Sequence, residues 1–382
     1  MLKTGSKAAM SGTAMKTFAG VRMLRNIRNW YVRFDRPISS ASLVGGFVFD
    51  ALTLHRVDTF WENFWVVVHL LVVAACIVLI SRQENQNAAG PDSPKLRFWL
   101  ITLMQFFFGG LLSTLLVFYF RSGSLSASWP FFLILAVAFI ANEALKKYYV
   151  RLGFQISLFY LSLFCFAIFI VPVIVHAIGP LIFILSGLVS LALMRLFVFV
   201  MKVVAKENLE RGKKEFTLAI CSIFLAINLL YFLNLIPPIP LSLMDAAVGH
   251  SITHEANGDY ALQSEDRGWL GFFRLAEVVH VPSGAPLYAY SAVFSPTRLN
   301  TRIIHEWQHY EGNRGWVTAD RIDLSLLGGR GGGYRTYSMK SQVTPGAWRV
   351  NIETPGGAVL GRLRFNVLAA TSPPPLKTEL KD

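Results

Sequence analysis

Residues His305-Glu306-Trp307-Gln308-His309 spell H-E-x-x-H, the pattern with which zinc peptidases hold and use a metal. That chemistry requires a helix. Residues four apart then share a face, so two imidazoles reach one ion while the glutamate acts as base. The flanking residues argue for a strand instead: Arg302-Ile303-Ile304 precede the motif, and Tyr310 and a turn at Gly312 follow it. On a strand the two histidine Cα atoms stand about 13 Å apart, at roughly 3.3 Å per residue. One zinc with bonds of about 2 Å does not bridge that. The extended motif also asks for a ligand at position 315, where this chain has Gly315. Alternation places Ile303, His305, Trp307 and His309 on one face and Glu306 on the other. The preferred reading is a strand with Trp307 in a core. His305, Glu306 and His309 are therefore not assigned to a metal, and no cofactor is expected.

The second candidate is the run Gly328-Gly329-Arg330-Gly331-Gly332-Gly333-Tyr334-Arg335. Backbone N–H groups of such a loop can cradle an anion, while Arg330 or Arg335 grips a phosphate or carboxylate. It lacks the Lys-Ser/Thr of a nucleotide-phosphate loop, and no helical pattern follows, so a plain turn between strands competes with this reading. If the domain binds a ligand, Arg330, Tyr334 and Arg335 are where binding is expected.

A third set lies inside apolar runs: Asp50, His69, Gln105, Glu143, Gln155, His176 and Arg195. An ionised group in lipid is costly, so such residues face the bundle interior or a cavity. Glu143 and Arg195 are expected to approach each other or a cavity. Asp50 is expected to cap its helix or to pair with Arg56. A structural pair or a snorkelling side chain outweighs a transport path, since no duplicated half suggests a transporter.

The elements that carry these residues are of two kinds. Of the 382 residues, 53% are hydrophobic, only 15% are charged, and 30 are Phe. Soluble domains average about 25% charged residues, so the composition points to a bilayer rather than to water. Apolar runs long enough to cross it lie at 64–81, 98–120, 130–146, 154–177, 180–201 and 216–236, with a weaker one at 38–54 that holds Gly45, Gly46 and Asp50. The net charge of +13 sits in residues 1–36, with eight Lys/Arg and one Asp, and in the loops 82–97, 146–151 and 202–215. That is the distribution of cytoplasmic segments, not of a nucleic-acid groove. Residues 241–368 are nearly balanced, with twelve basic and eleven acidic residues. Counting 38–54 as a crossing gives seven spans, a cytoplasmic N-terminus and an outer C-terminal domain; a re-entrant half-helix is the alternative for 38–54.

The basic arm, residues 1–37, repeats apolar residues about every third position and suits a helix lying on an anionic surface. It lacks the early apolar core of a signal peptide. Cys76, Cys165 and Cys221 all lie in apolar runs, so no disulfide is expected in the C-terminal domain. Beyond the prolines at 237, 238 and 240, the domain 241–368 reads as strands near 287–295, 303–310, 315–323, 334–341, 347–354 and 358–367. Their spacing of about ten residues suggests an all-β sandwich. The tail 369–382, with three consecutive prolines, reads as disordered. The fold class expected is thus a membrane α-helical bundle of about seven spans, residues 38–236, plus a C-terminal β-sandwich.

Four segments carry a family resemblance: Tyr-Phe-Leu-Asn-Leu-Ile-Pro-Pro-Ile-Pro-Leu-Ser-Leu (231–243), Tyr-Ser-Ala-Val-Phe-Ser-Pro-Thr-Arg-Leu-Asn-Thr-Arg (290–302), the glycine-rich run at 328–335 and Pro-Gly-Ala-Trp-Arg-Val (345–350). Together they resemble the domain of unknown function 2914 family. The segment Gly-Phe-Val-Phe-Asp-Ala-Leu-Thr-Leu-His-Arg-Val-Asp (46–58) is similar to the membrane part of the same proteins. The resemblance implies a bacterial envelope protein, and it implies no catalytic residues; together with the loop charges this gives the expectation of an inner-membrane protein with a cytoplasmic N-terminus and a periplasmic C-terminal domain. Three functions are weighed. The first is a non-enzymatic envelope protein whose β domain binds a glycan, a lipid or a protein partner. The second is a transporter or channel, which a continuous polar cavity lined by Asp50, Glu143 and Arg195 would favour. The third is a zinc peptidase, which a helix at 303–311 would favour. The first is preferred, and an arginine-and-aromatic face on a compact sandwich would mark it.

Overall fold

The computed structural model describes residues 44–54, 59–87, 94–144, 148–149, 151–256, 259–266, 276–295, 301–326 and 333–381. The basic N-terminal arm, Arg56, Trp269 and Arg330 lie outside them. In lipid every backbone N–H and C=O must find its partner within the segment, so the apolar runs become helices. They are α1 (Val44–Thr53), α2 (Phe60–Asn87), α3 (Pro94–Arg121), α4 (Leu125–Ala144), α5 (Leu152–Val175), α6 (Pro180–Val204) and α7 (Lys206–Phe232). Among the described residues, six of these are long and apolar enough to cross a membrane. The seventh, α1, has ten described residues, about 15 Å at 1.5 Å per residue. That is half of a hydrocarbon core of about 30 Å.

The bundle is organised around α5. Its apolar stretch is 78% buried, against 11% for α7, and it contacts α2, α3, α6 and α7. Outward-facing apolar side chains such as Leu181 (81% exposed) and Phe106 (72%) mark the surface that lipid covers. Tyr119 of α3 donates a hydrogen bond of 2.8 Å to the Cys165 carbonyl of α5. The pair Gly109-Gly110 lets α3 approach a neighbour on each side. A Cβ on Gly110 would lie 2.8 Å from His69 Nε2 of α2, and one on Gly109 would lie 3.3 Å from Asn142 Nδ2 of α4. Small residues allow such close approach between membrane helices.

The C-terminal domain is all β. Its strands are β1 (Ser242–Gly249), β2 (Ser251–His254), β3 (Tyr260–Glu265), β4 (Glu277–Pro282), β5 (Leu287–Phe294), β6 (Thr301–Glu311), β7 (Gly315–Leu326), β8 (Tyr334–Lys340), β9 (Gly346–Glu353), β10 (Val359–Ala370) and β11 (Leu376–Lys381). A five-stranded sheet in the order β4-β10-β9-β6-β7 faces a three-stranded sheet, β1-β5-β8. Between them lie Val248, Leu287 and Ala289 from the smaller sheet and Trp307, Trp348, Val350, Phe365 and Val367 from the larger. This is the expected sandwich. The expectation of a disordered tail is corrected: Leu376–Lys381 forms β11, paired antiparallel with β3. The backbone ladder, not apolar burial, holds it there, since Leu380 is 65% exposed.

The sandwich sits on one end of the bundle. Ile236, Ile239 and Phe294 belong to the same buried cluster as the helices. Pro237 packs so tightly on Gly123 that a Cβ there would fall 2.6 Å from its ring. Arg362 of β10 reaches Ser126 at the start of α4, Nη1 to Oγ 3.4 Å.

Candidate functional site

β6 is a strand, and its pleat divides the H-E-x-x-H motif between two faces of the sheet. His305 points inward and is fully buried. Its Nε2 lies 2.8 Å from Ser291 Oγ and its Nδ1 2.9 Å from Ser338 Oγ. Trp307 donates from Nε1 to the same Ser338 oxygen at 3.0 Å. Burial pushes the His305 pKa down to about 3, so the ring is neutral. A serine–histidine pair can activate a nucleophile, but here both serines are buried in the core, and they occupy both ring nitrogens, with no carboxylate on the ring among the described residues. His309 lies against the Trp348 ring, with centroids 4.8 Å apart. Glu306 faces the other way.

That outer face is polar across four strands. Register places Arg364, Arg349, Gln308 and Thr318 in one row, and Arg362, Asn351, Glu306 and Arg321 in the next. Glu306 accepts from Thr318 Oγ1 at 2.8 Å and from Asn351 Nδ2 at 2.9 Å. Burial raises its pKa, but these bonds outweigh burial and hold it below the usual carboxylate range. Arg362 donates from Nε to Asn351 Oδ1 at 2.6 Å. Glu353, in the next outward position of β9, is paired with Arg321 at 2.9 Å. Burial, with the nearby charge of Glu306, nevertheless lifts its pKa to about 7.

Four guanidinium groups stand on this face; Arg321 is paired with Glu353, and those of Arg349, Arg362 and Arg364 crowd together. Arg349 donates from Nε to Gln308 at 2.5 Å and lies over the Trp316 ring, 4.4 Å from its centroid. Burial first, and then the charges of Arg362 and Arg364, lower its pKa to about 10, which leaves it cationic at neutral pH. Its two terminal amines, and the whole exposed Arg364 side chain, have no protein partner among the described residues. Tyr310, 46% exposed, stacks edge-on against Trp316 at 5.3 Å. The arrangement offers unpaired N–H donors and positive charge beside two aromatic rings, which suits a phosphate or carboxylate carried on a larger molecule.

Residues 300–367 match a family model described as "Protein of unknown function (DUF2914)". The matched stretch lies within the C-terminal domain. That segment contains all of β6, β7 and β9, most of β10, and every residue of the two polar rows. No curated protein matches the chain. Among solved structures, the Pseudomonas fluorescens alkylpurine DNA glycosylase AlkC, bound to DNA containing an abasic site analogue, aligns at 10% identity over 80% of this chain and 98% of that one. Its TM-score is 0.20.

The residues singled out in the sequence are not brought together. In the matched stretch, Tyr334 packs on the buried cluster around Val293 and Ile303. Arg335 is held by Asp259 at 3.0 Å, and Arg330 lies outside the described residues. Of the intramembrane set, Asp50 faces Ser113 of α3 and His69 of α2. Glu143 accepts from Gln105 Nε2 at 3.3 Å, between α3 and α4. The expected approach of Glu143 to Arg195 is not found among the described residues: Arg195 is exposed on α6, where its stem can snorkel. The arginine face escaped the sequence reading. Its signal was the two-residue alternation Arg349-x-Asn351-x-Glu353 and Arg362-x-Arg364-x-Asn366.

Proposed function

We propose that the chain is a multi-pass protein of the bacterial inner membrane that presents its β domain on the periplasmic side, where the outer face of the five-stranded sheet binds an anionic envelope component. One observation carries the binding half of this reading: Arg349, Arg362 and Arg364 converge on a single sheet face, and the terminal amines of Arg349 and the guanidinium of Arg364 lack protein partners among the described residues. Three crowded cations repel one another, and an anion between them relieves that repulsion. The chemistry is that of a phosphate or carboxylate on a lipid headgroup, a glycan or an acidic protein segment. The zinc and transport readings draw no comparable support, since the motif is split between faces and the charged membrane residues lie apart.

The sidedness rests on the loops. The end of α2 and the starts of α3, α5 and α7 meet at one end of the bundle, with Arg97, Arg151, Lys202 and Lys206 among its described residues; there Arg97 pairs with Glu84 at 2.5 Å, Asn208 donates to the same carboxylate, and Gly153 lies beside Glu215. The β domain occupies the opposite end. Positive loops belong inside, so the β domain belongs outside, whether or not α1 completes a crossing. A cytoplasmic N-terminus needs that extra crossing. In support, Phe47 of α1 meets Phe139 deep in α4, while the Ala51 carbonyl accepts from Arg121 at the β-domain end.

The test uses the full chain in nanodiscs. Binding to phosphatidylglycerol vesicles, peptidoglycan fragments and a solubilised envelope protein fraction is measured for the native chain and for the double variant Arg349→Gln/Arg364→Gln. Binding of one probe that the double variant loses supports the reading and names the ligand source. Equal binding by both proteins to all three probes removes it. Separately, a reporter fused after Asp382 that proved cytosolic would overturn the sidedness.

A further inference from the structure

Where the sandwich meets the bundle there is a cavity of about 340 Å³. Its walls come from the ends of three helices and from one turn of the β domain. α5 contributes Ile168 and Pro172, the start of α6 contributes Phe183, and the end of α7 contributes Tyr231 and Phe232. The proline-rich exit after α7 and the β9–β10 turn, Thr354–Ala358, close it. Phe183 and Tyr231 stack with centroids 3.6 Å apart and form one flat wall. The turn is fitted to its place. Gly357, at φ +85°, lies where a Cβ would be 3.2 Å from Asn234 Nδ2, so only glycine brings the turn this close without strain.

The cavity is within the range of small-molecule sites, about 300–1,000 Å³. It is a poor home for water. Tyr231, Asn234 and Thr354 supply the only polar side chains among its lining residues, and Thr354 Oγ1 already accepts from the Ala358 N–H at 3.2 Å. It is also a poor void, because lining atoms without neighbours forfeit their dispersion contacts. Its rim opens to the lipid side: Phe232 lines it and is 59% exposed, and Leu181, next to Pro180 of the lining, is 81% exposed. An apolar chamber continuous with the lipid-covered surface, at the end of the spans, fits a hydrocarbon chain.

We propose that this junction cavity binds the acyl chain of a membrane lipid, which enters sideways between the start of α6 and the end of α7 and packs beneath the β9–β10 turn. The site is separate from the arginine face and stands or falls without it. The test places the full chain in nanodiscs whose phospholipid carries a photoreactive diazirine in the acyl chain, followed by peptide mapping after illumination. Adducts on Thr354–Ala358 and Ile236–Ile239 are expected, since a β-domain turn meets hydrocarbon only if the cavity holds it. Adducts confined to outward residues such as Leu188 and Phe199, with the turn unlabelled, overturn the proposal. Filling the cavity with Ala358→Phe should lower turn adducts by about tenfold relative to Leu188. If that variant does not fold, Ile182→Trp fills the same space from the opposite wall. Undiminished turn labelling in a folded filling variant also overturns it.

Discussion

The two faces of the five-stranded sheet are built from alternate residues of the same strands, yet they follow opposite rules. On the inner face polar groups are few and sealed. His305 and Trp307 are satisfied by Ser291 and Ser338 of the facing three-stranded sheet, all four buried, and Trp307 meets Phe365 edge-on at 6.2 Å. On the outer face polar groups are many and incompletely paired, with four arginines, two glutamates and amide side chains, all but Arg364 sharing bonds across four strands. The inner network makes one arrangement of the core more stable than its rivals. The outer network leaves donors unfilled. A buried polar group must be paired, whereas a half-exposed one can wait for a ligand. The same contrast explains why the H-E-x-x-H letters carry no zinc chemistry here: the pleat sends its glutamate to one face and its histidines to the other.

If the faces differ in this way, the largest loss of stability comes from the inner one. Trp307→Ala should cost about 3–5 kcal/mol, from the cavity and the lost transfer energy of a fully buried ring, and it also removes a donor from Ser338. Chemical denaturation of the full chain in detergent, followed through β-domain hydrogen exchange, measures it. A loss under about 1 kcal/mol would mean that Trp307 is not the centre of this core. His305→Ala comes next, at roughly 2–3 kcal/mol, because it strands two buried hydroxyls. A metal chelator should leave the melting temperature unchanged; a chelator-induced drop would revive the metal reading.

Six strands, β5 to β10, were legible in the sequence: β5 is a short apolar run, the others mix apolar and polar residues in alternation, and glycine or proline breaks bound them. β1 to β4 and β11 were not. β11 reads Leu-Lys-Thr-Glu-Leu-Lys and buries little, so backbone pairing with β3 is what makes it a strand. The membrane helices announced themselves because lipid demands uninterrupted apolar length. The weak run at 38–54 was ambiguous for the same reason, with its two glycines and an aspartate. The outer-face site stayed hidden because it depends on register. Arg349 and Arg364 are fifteen residues apart in the chain, and only the β9–β10 pairing sets them side by side. The glycine-rich run 328–333 drew attention by composition, which says where a chain can bend but not what its neighbours present.

The two faces also answer pH with opposite sign. Glu353 on the outer face has a folded pKa of about 7 against a usual 4.5. The folded chain therefore holds a proton that the unfolded chain has released, and this contribution to stability is present below 4.5 and lost as pH rises through 7. His305 on the inner face has a folded pKa of about 3 against 6.5, so its contribution is present above 6.5 and lost as pH falls towards 3. Between 4.5 and 6.5 the two slopes oppose and the native stability curve should be nearly flat. Below that window, Glu306 and Glu265, whose pKa values are lowered, add to the acid loss. In Glu353→Gln the flat portion should become a rise with pH of at most about 1.4 kcal/mol per unit. A curve that stays flat in the variant would remove the buried glutamate from the account.

The smallest expected change in stability is also the most discriminating. Arg349→Ala removes one hydrogen bond to Gln308 and the contact with the Trp316 ring. It also relieves the repulsion from Arg362 and Arg364, so the losses and the gain partly cancel. Unfolding free energy should move by less than about 1 kcal/mol, measured under the conditions used for Trp307→Ala. A loss comparable to that of the tryptophan would make the outer face a second structural network. A near-neutral result leaves the arginines without a structural reason for their crowding, as expected of groups kept for a ligand.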